Sequence, residues 1–180
     1  MTTNQATNLF LIGFRGSGKT TIGPAVANLL QTEFIDLDDL IQAKENNTSA
    51  QIFSEFGENH FRQLERKYLV QVAQFQNTVI SCGGGVVLNS ENRECLKNSG
   101  KCVWLKASAP FLLQRIEGDP ATARTRPKLT QFGGFPEIEQ LLAEREPLYA
   151  ACADYTIWVE NRTVDELASE IANWWRKDDK

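Results

Sequence analysis

Apolar residues in this chain fall in short runs, each followed by a longer stretch in which they recur every three or four positions. Asn8–Phe14, Glu33–Leu37, Thr78–Ser81, Lys101–Ala107 and Tyr155–Val159 read as strands. Helical spacing occupies Lys19–Leu30, Asp39–Lys44, Glu58–Phe75 and Pro136–Ala151; in the third of these, Leu64, Tyr68, Val72 and Phe75 share one face. Ser108 is placed to cap a further helix with Pro110 in its first turn. Thr163 and Glu166 have the spacing of a capping box that opens the last helix, whose Val164, Leu167, Ala168, Ile171 and Trp175 form an apolar stripe. Strand alternating with helix implies a parallel sheet with helices on both faces and ligands held outside the carboxyl ends of the strands. The expected fold class is therefore α/β, a three-layer α/β/α arrangement around a five-stranded parallel sheet.

One segment, about 117–135, breaks the alternation. Gly118, Pro120, Pro127 and Gly133 interrupt it, and Arg124, Arg126 and Lys128 make it basic. A stretch longer than ~12–15 residues without its own elements is either a lid or a disordered surface loop. The arginines favour a lid.

Composition narrows the function without naming it. The 180 residues, 42% apolar and 23% charged, suit one globular domain over 1–180. No apolar run approaches the ~20 residues of a membrane helix, and the polar Met1 to Thr7 segment does not read as a signal peptide, so a cytoplasmic protein without membrane partners is expected. Cys82, Cys95, Cys102 and Cys152 form no C-x-x-C pair, and His60 is the single histidine, which leaves little for a zinc site. A net charge of −4 argues against a nucleic-acid partner. Arg115, Arg124, Arg126 and Lys128 nevertheless cluster, which suits a small anionic ligand.

The strongest chemical signal is Gly13-Phe14-Arg15-Gly16-Ser17-Gly18-Lys19-Thr20, a full match to G-x-x-x-x-G-K-[ST] with a strand before it and a helix after it. Glycines let successive N–H groups turn toward phosphate oxygens, and the helix N-terminus adds partial positive charge. Gly16, Ser17, Gly18, Lys19, Thr20 and Thr21 are the expected nucleotide contacts, with Lys19 on the β- and γ-phosphates and the Thr20 hydroxyl on Mg²⁺. A chance glycine-rich turn is the weaker reading, given those flanks. Motors, switches and kinases share such P-loops; the short chain favours a small-metabolite kinase, and no N-K-x-D sequence points to guanine.

Four further groups have chemistry of their own. Asp36 and Asp38 alternate along a predicted strand end, which would turn both to one face for Mg²⁺ ligation and hydroxyl binding, unless they are a solvated acidic turn. Arg62 and Glu65, at i and i+3, can pair across one helix, as many surface pairs do. Gly83-Gly84-Gly85 follows a buried strand, where either a close approach or a loose turn would call for glycine. His60 is given no role.

Taken in order, the P-loop, Phe34-Ile35-Asp36-Leu37-Asp38, Gly57 through Glu65, Gly83-Gly84-Gly85, Arg126-Pro127 and Arg145-Glu146-Pro147-Leu148-Tyr149 resemble the shikimate kinases from about Asn8 to the last helix. The resemblance implies transfer of the γ-phosphate of ATP to the 3-hydroxyl of shikimate, with ATP and Mg²⁺ as co-substrate and metal; a monomer is expected. It implies Asp38 on the substrate hydroxyls as base or orienting group, and Asp36 nearer the metal. It places Arg62 and Arg145 on the substrate carboxylate, with Glu65 holding Arg62, and the N–H groups of Gly83, Gly84 and Gly85 along the hydroxyls. Arg126 would meet the transferring phosphoryl group, Arg115 would stack on adenine and Arg162 would assist. Two departures stand out: extra residues around Asp119–Thr125, and Lys128 where leucine is more usual, so Arg124 competes with Arg126 for the lid role. The alternatives are a gluconate or nucleoside-monophosphate kinase, or a non-catalytic nucleotide binder. The last should have lost Lys19 or Asp38, and both are present.

Overall fold

A computed structural model describes residues 7–118 and 134–178. The elements run β1 (Asn8–Ile12), α1 (Lys19–Leu30), β2 (Glu33–Asp36), α2 (Leu37–Glu45), α3 (Ser49–Val72), β3 (Thr78–Ser81), a 3₁₀ turn (Val86–Leu88), α4 (Ser90–Ser99), β4 (Gly100–Lys106), α5 (Ala109–Glu117), α6 (Gly134–Cys152), β5 (Tyr155–Trp158) and α7 (Val164–Asp178). The five strands form one sheet in the order β2-β3-β1-β4-β5, with every pair parallel. The three-layer α/β/α expectation is met.

The period of two along each strand sorts its side chains between two cores. Leu9 and Leu11 of β1 join Val79, Val103 and Leu105 beneath α1, α5 and α7. Phe10 and Ile12 join Ile80, Cys102 and Trp104 beneath α2, α3 and α4. Helix α6 contributes to both, through Ile138 and Leu142 on one side and Tyr149 and Cys152 on the other. Asn8, fully buried, donates to Phe75 O at 2.6 Å and accepts from Thr78 N at 3.2 Å, tying the turn before β3 to the start of β1.

The structure departs from the sequence reading at identifiable places. Helix α4 was not predicted: only Asn92 and Leu96 of its ten residues are buried, too thin a stripe to show as periodicity, and it is started by Asn89 accepting from Glu91 N at 2.8 Å. Helix α3 begins at Ser49 rather than Glu58, because Thr48 and Gln51 form a capping box; Gly57, at φ 82 and ψ 171, kinks it between the two halves. Helix α2 begins at Leu37, since the Asp36 carboxylate caps it. The Thr163–Glu166 box forms as expected, with Thr163 N donating to Glu166 at 2.8 Å. Ser108 occupies the predicted N-cap of α5 but its side chain makes no capping bond; its N–H donates to Glu160 instead. No helix among the described residues is long and apolar enough to cross a membrane.

Candidate active site

At the carboxyl end of β1 the chain turns through Gly13 (φ 144), Gly16 (φ 82) and Gly18 (φ 95), left-handed conformations that explain why these loop positions are glycine. The Lys19 ammonium folds over the loop, donating to Gly13 O at 2.8 Å and Phe14 O at 2.9 Å. Ser17 is fully buried beside it. Thr20 Oγ1 donates to Asp36 Oδ2 at 2.7 Å. Gly16, Gly18, Lys19, Thr20, Thr21 and Arg115 line one cavity, which Asp36 and Asp38 close from the β2 side.

Asp36 and Asp38 reach this place by a route the sequence reading missed. They do not alternate along a strand. Asp36 ends β2, and its Oδ1 accepts from Asp38 N at 3.0 Å and Asp39 N at 3.3 Å, so the helix starts before Asp38. Asp38 therefore projects from the first turn of α2.

A second cavity adjoins the first, lined by Arg15, Asp38, Arg62, Glu65, Gly83–Gly85 and Arg145. Arg62 pairs with Glu65 at 2.9 Å and with Glu58 at 3.1 Å. The Glu65 side chain is only 1% exposed, so this is no ordinary surface pair. Arg145 donates to Gly84 O at 3.4 Å, Tyr149 also donates to Gly84 O, and the Arg145 guanidinium lies 5.4 Å from the Phe14 ring. Gly83 and Gly85 answer to side chains of this cavity, and Gly84 to the backbone N of Arg15, 3.1 Å from where its Cβ would stand. A Cβ on Gly85 would run into the Arg62 guanidinium, and one on Gly83 would stand 2.7 Å from Glu65 Oε1 and 2.8 Å from Asp38 Oδ1. None of the three has positive φ, so close approach is the reason for glycine here.

Burial pushes the Glu65 carboxyl up to about 7, the Asp38 charge adds to the rise, and Arg62 and Arg145 oppose it. Its Oε1 has no hydrogen-bond partner among the described residues. The folded protein thus holds this proton more tightly than the unfolded chain does. Stability from Glu65 is fully present below its ordinary value near 4.5 and is lost as pH rises through about 7. The melting temperature of the wild type relative to Glu65→Gln should fall by at least about 3 °C between pH 5 and pH 8. A difference that stays flat across that range would show that Glu65 ionises normally.

Arg115 and Arg162 share a shallow depression with Phe111 and Asn161 next to the phosphate loop. The Arg115 guanidinium lies 5.5 Å from the Phe111 ring, and Arg162 is held by Glu170 at 2.7 Å. Arg124, Arg126, Lys128 and the greater part of the expected lid lie outside the described residues. His60 packs against Phe56, with ring centroids 5.1 Å apart, and lines neither cavity.

The family model described as shikimate kinase matches residues 15–176. The chain belongs to the shikimate kinase family. A shikimate kinase of Rhodopirellula baltica is 40% identical over 164 residues, covering 91% of this chain and 88% of that protein. Shikimate kinase 2 of Photorhabdus laumondii is 45% identical over 149 residues, 83% of this chain and 84% of the other. Among solved structures, shikimate kinase from Acinetobacter baumannii in complex with shikimate superposes with a TM-score of 0.89 at 34% identity, covering 96% of this chain and 94% of that one. Shikimate kinases are ATP-dependent kinases, and this chain has their parallel-sheet fold.

Within that family frame, the site contains groups the sequence reading left without a role. Arg15 occupies an unconstrained position of the phosphate-loop pattern, and its charge there was the available signal. Tyr149 closes the Arg145–Tyr149 motif, yet only the structure puts its hydroxyl on Gly84 O and its ring 5.7 Å from Trp104. Glu137, in the first turn of α6, gave no signal in sequence at all.

Proposed function

We propose that this chain transfers the γ-phosphate of ATP to the 3-hydroxyl of shikimate, giving shikimate 3-phosphate and ADP in aromatic amino-acid biosynthesis. One observation carries the reading: Asp38 lines both cavities, so a single carboxylate stands where a phosphate-binding loop meets an arginine-rich pocket. The pocket's Arg62 and Arg145 suit an anionic acceptor, because a guanidinium fork meets a carboxylate with two parallel hydrogen bonds. Asp38 then orients the acceptor hydroxyl and takes its proton as the oxygen bonds to the γ-phosphorus and the bond to the β-phosphate oxygen breaks. Lys19 and the loop N–H groups offset the charge on the phosphates. Arg115 and Arg162 flank the adenine, and Arg126 meets the transferring group.

Thr20 and Asp36 fit Mg²⁺: they offer hard oxygen donors 2.7 Å apart at the loop mouth. No group of three or more His, Cys, Asp or Glu able to hold a metal occurs among the described residues. That suits an ion completed by phosphate and water rather than by a protein cage. When bound, Mg²⁺ neutralises phosphate charge and fixes the geometry of the polyphosphate.

The test is ADP release with MgATP in the presence and absence of shikimate, with uncharged polyols as control acceptors. Strong dependence on shikimate, and none on polyols, is expected. ATP binding without shikimate-dependent turnover would overturn the acceptor and leave only the nucleotide site.

A further inference from the structure

Arg15 lies in the phosphate loop, yet its side chain lines the acceptor cavity rather than the nucleotide cavity. Its NH2 lies 3.2 Å from Glu137 Oε1, and the two side chains are only 14% and 2% exposed. Glu137 belongs to the first turn of α6, where the positive end of the helix dipole favours a carboxylate. Burying either charge is costly, and the contact between the two offsets part of that cost. The same helix carries Arg145, whose guanidinium packs on Phe14, the residue before Arg15. Helix α6 therefore grips the phosphate loop at two points, and both grips involve an arginine of the acceptor cavity.

A buried ion pair is weak evidence of stability, since apolar side chains of similar volume often do as well. What the pair does supply is direction. A long side chain on a loop between two cavities could serve either, and a fixed carboxylate behind it selects one. We propose that Glu137 is a positioning residue that aims Arg15 into the acceptor cavity. Arg15 thereby joins Arg62 and Arg145 in recognising an acceptor carboxylate. The inference rests on the acceptor reading above and deepens it: preference for an anionic acceptor is set partly from α6, through a residue that does not touch the acceptor.

The experiment is steady-state kinetics with MgATP on the wild type, Arg15→Met, Glu137→Met, Glu137→Gln and the double variant Arg15→Met/Glu137→Met. Acceptors are shikimate and its uncharged carboxamide. Wild-type turnover of shikimate comes first, because its failure would overturn the acceptor reading and not the pairing. Given that turnover, each Met variant should raise the KM for shikimate about tenfold, as loss of a charge-assisted contact does. The KM for ATP should stay within about twofold, and preference for shikimate over the carboxamide should fall by about the same tenfold. For acceptor recognition the double variant should be no worse than Arg15→Met alone, since the part proposed for Glu137 there runs through Arg15. Glu137→Gln, which keeps an acceptor oxygen, should lie nearer the wild type. Additive losses in the double variant would overturn the proposal. So would lower melting temperatures with unchanged acceptor preference. If a single variant does not fold, the double variant, which removes both charges of the pair, still reads the preference.

Discussion

Replacing Asp38 with Asn should lower kcat by ~10²–10⁴-fold while the KM for ATP changes by no more than about twofold. Asn is nearly isosteric and can still hydrogen-bond a hydroxyl, but it cannot take a proton. The backbone at this position is held independently of the side chain, because Asp36 Oδ1 accepts from Asp38 N. The α2 cap therefore survives the substitution, and the loss should be chemical rather than structural. The neighbouring Glu65 provides an internal check. The Asp38 charge is one of the causes that raise Glu65, so the Asn variant should move Glu65 back toward its ordinary range. Steady-state kinetics at saturating acceptor decide the matter: an unchanged kcat would remove Asp38 from the chemistry.

Lys19→Met should reduce turnover by ~10³-fold or more, the scale of losing a preorganised charge beside a transferring phosphoryl group. A second effect accompanies it. The ammonium ties Gly13 O to Phe14 O, so the variant also loses charged hydrogen bonds worth about 1–3 kcal/mol each. The loop should loosen and the melting temperature should drop by several degrees, with the parallel sheet retained. ADP release and a thermal melt on the same sample separate the two effects. Turnover at the wild-type rate would refute the placing of Lys19 on the phosphates.

Much of this molecule was legible in the order of its residues. Strands and helices carry their own periodicity, and the five strands and their parallel arrangement, though not their order in the sheet, could be read from it. The phosphate loop was legible because only glycine tolerates the backbone it needs, and Gly13, Gly16 and Gly18 do adopt positive φ. The ordered set of motifs pointed to the shikimate kinases, and the family match extends over residues 15–176.

What stayed hidden depends on contacts between residues far apart in the chain. Helix α4 has too few apolar positions to announce itself and stands because Asn89 caps it and Leu96 is buried. The Gly83–Gly85 run called in sequence for either a close approach or a loose turn, and the structure shows close approach. What comes close is Glu65 and Asp38 at Gly83, the phosphate-loop backbone at Gly84 and Arg62 at Gly85, which no local pattern encodes. The same holds for charge: Glu65 reads in sequence as half of a helix-surface pair, and only full burial beside Asp38 raises its proton affinity. Arg15 and Glu137 stand 122 positions apart, and their meeting is a product of packing alone. Sequence by itself determined the five strands, the helices other than α4 and the first half of α3, the phosphate loop and the family, because each rests on local backbone preference or on a motif. The tertiary structure decided which charges are buried and which side chains face the acceptor, because desolvation and distance exist only once the chain has closed on itself.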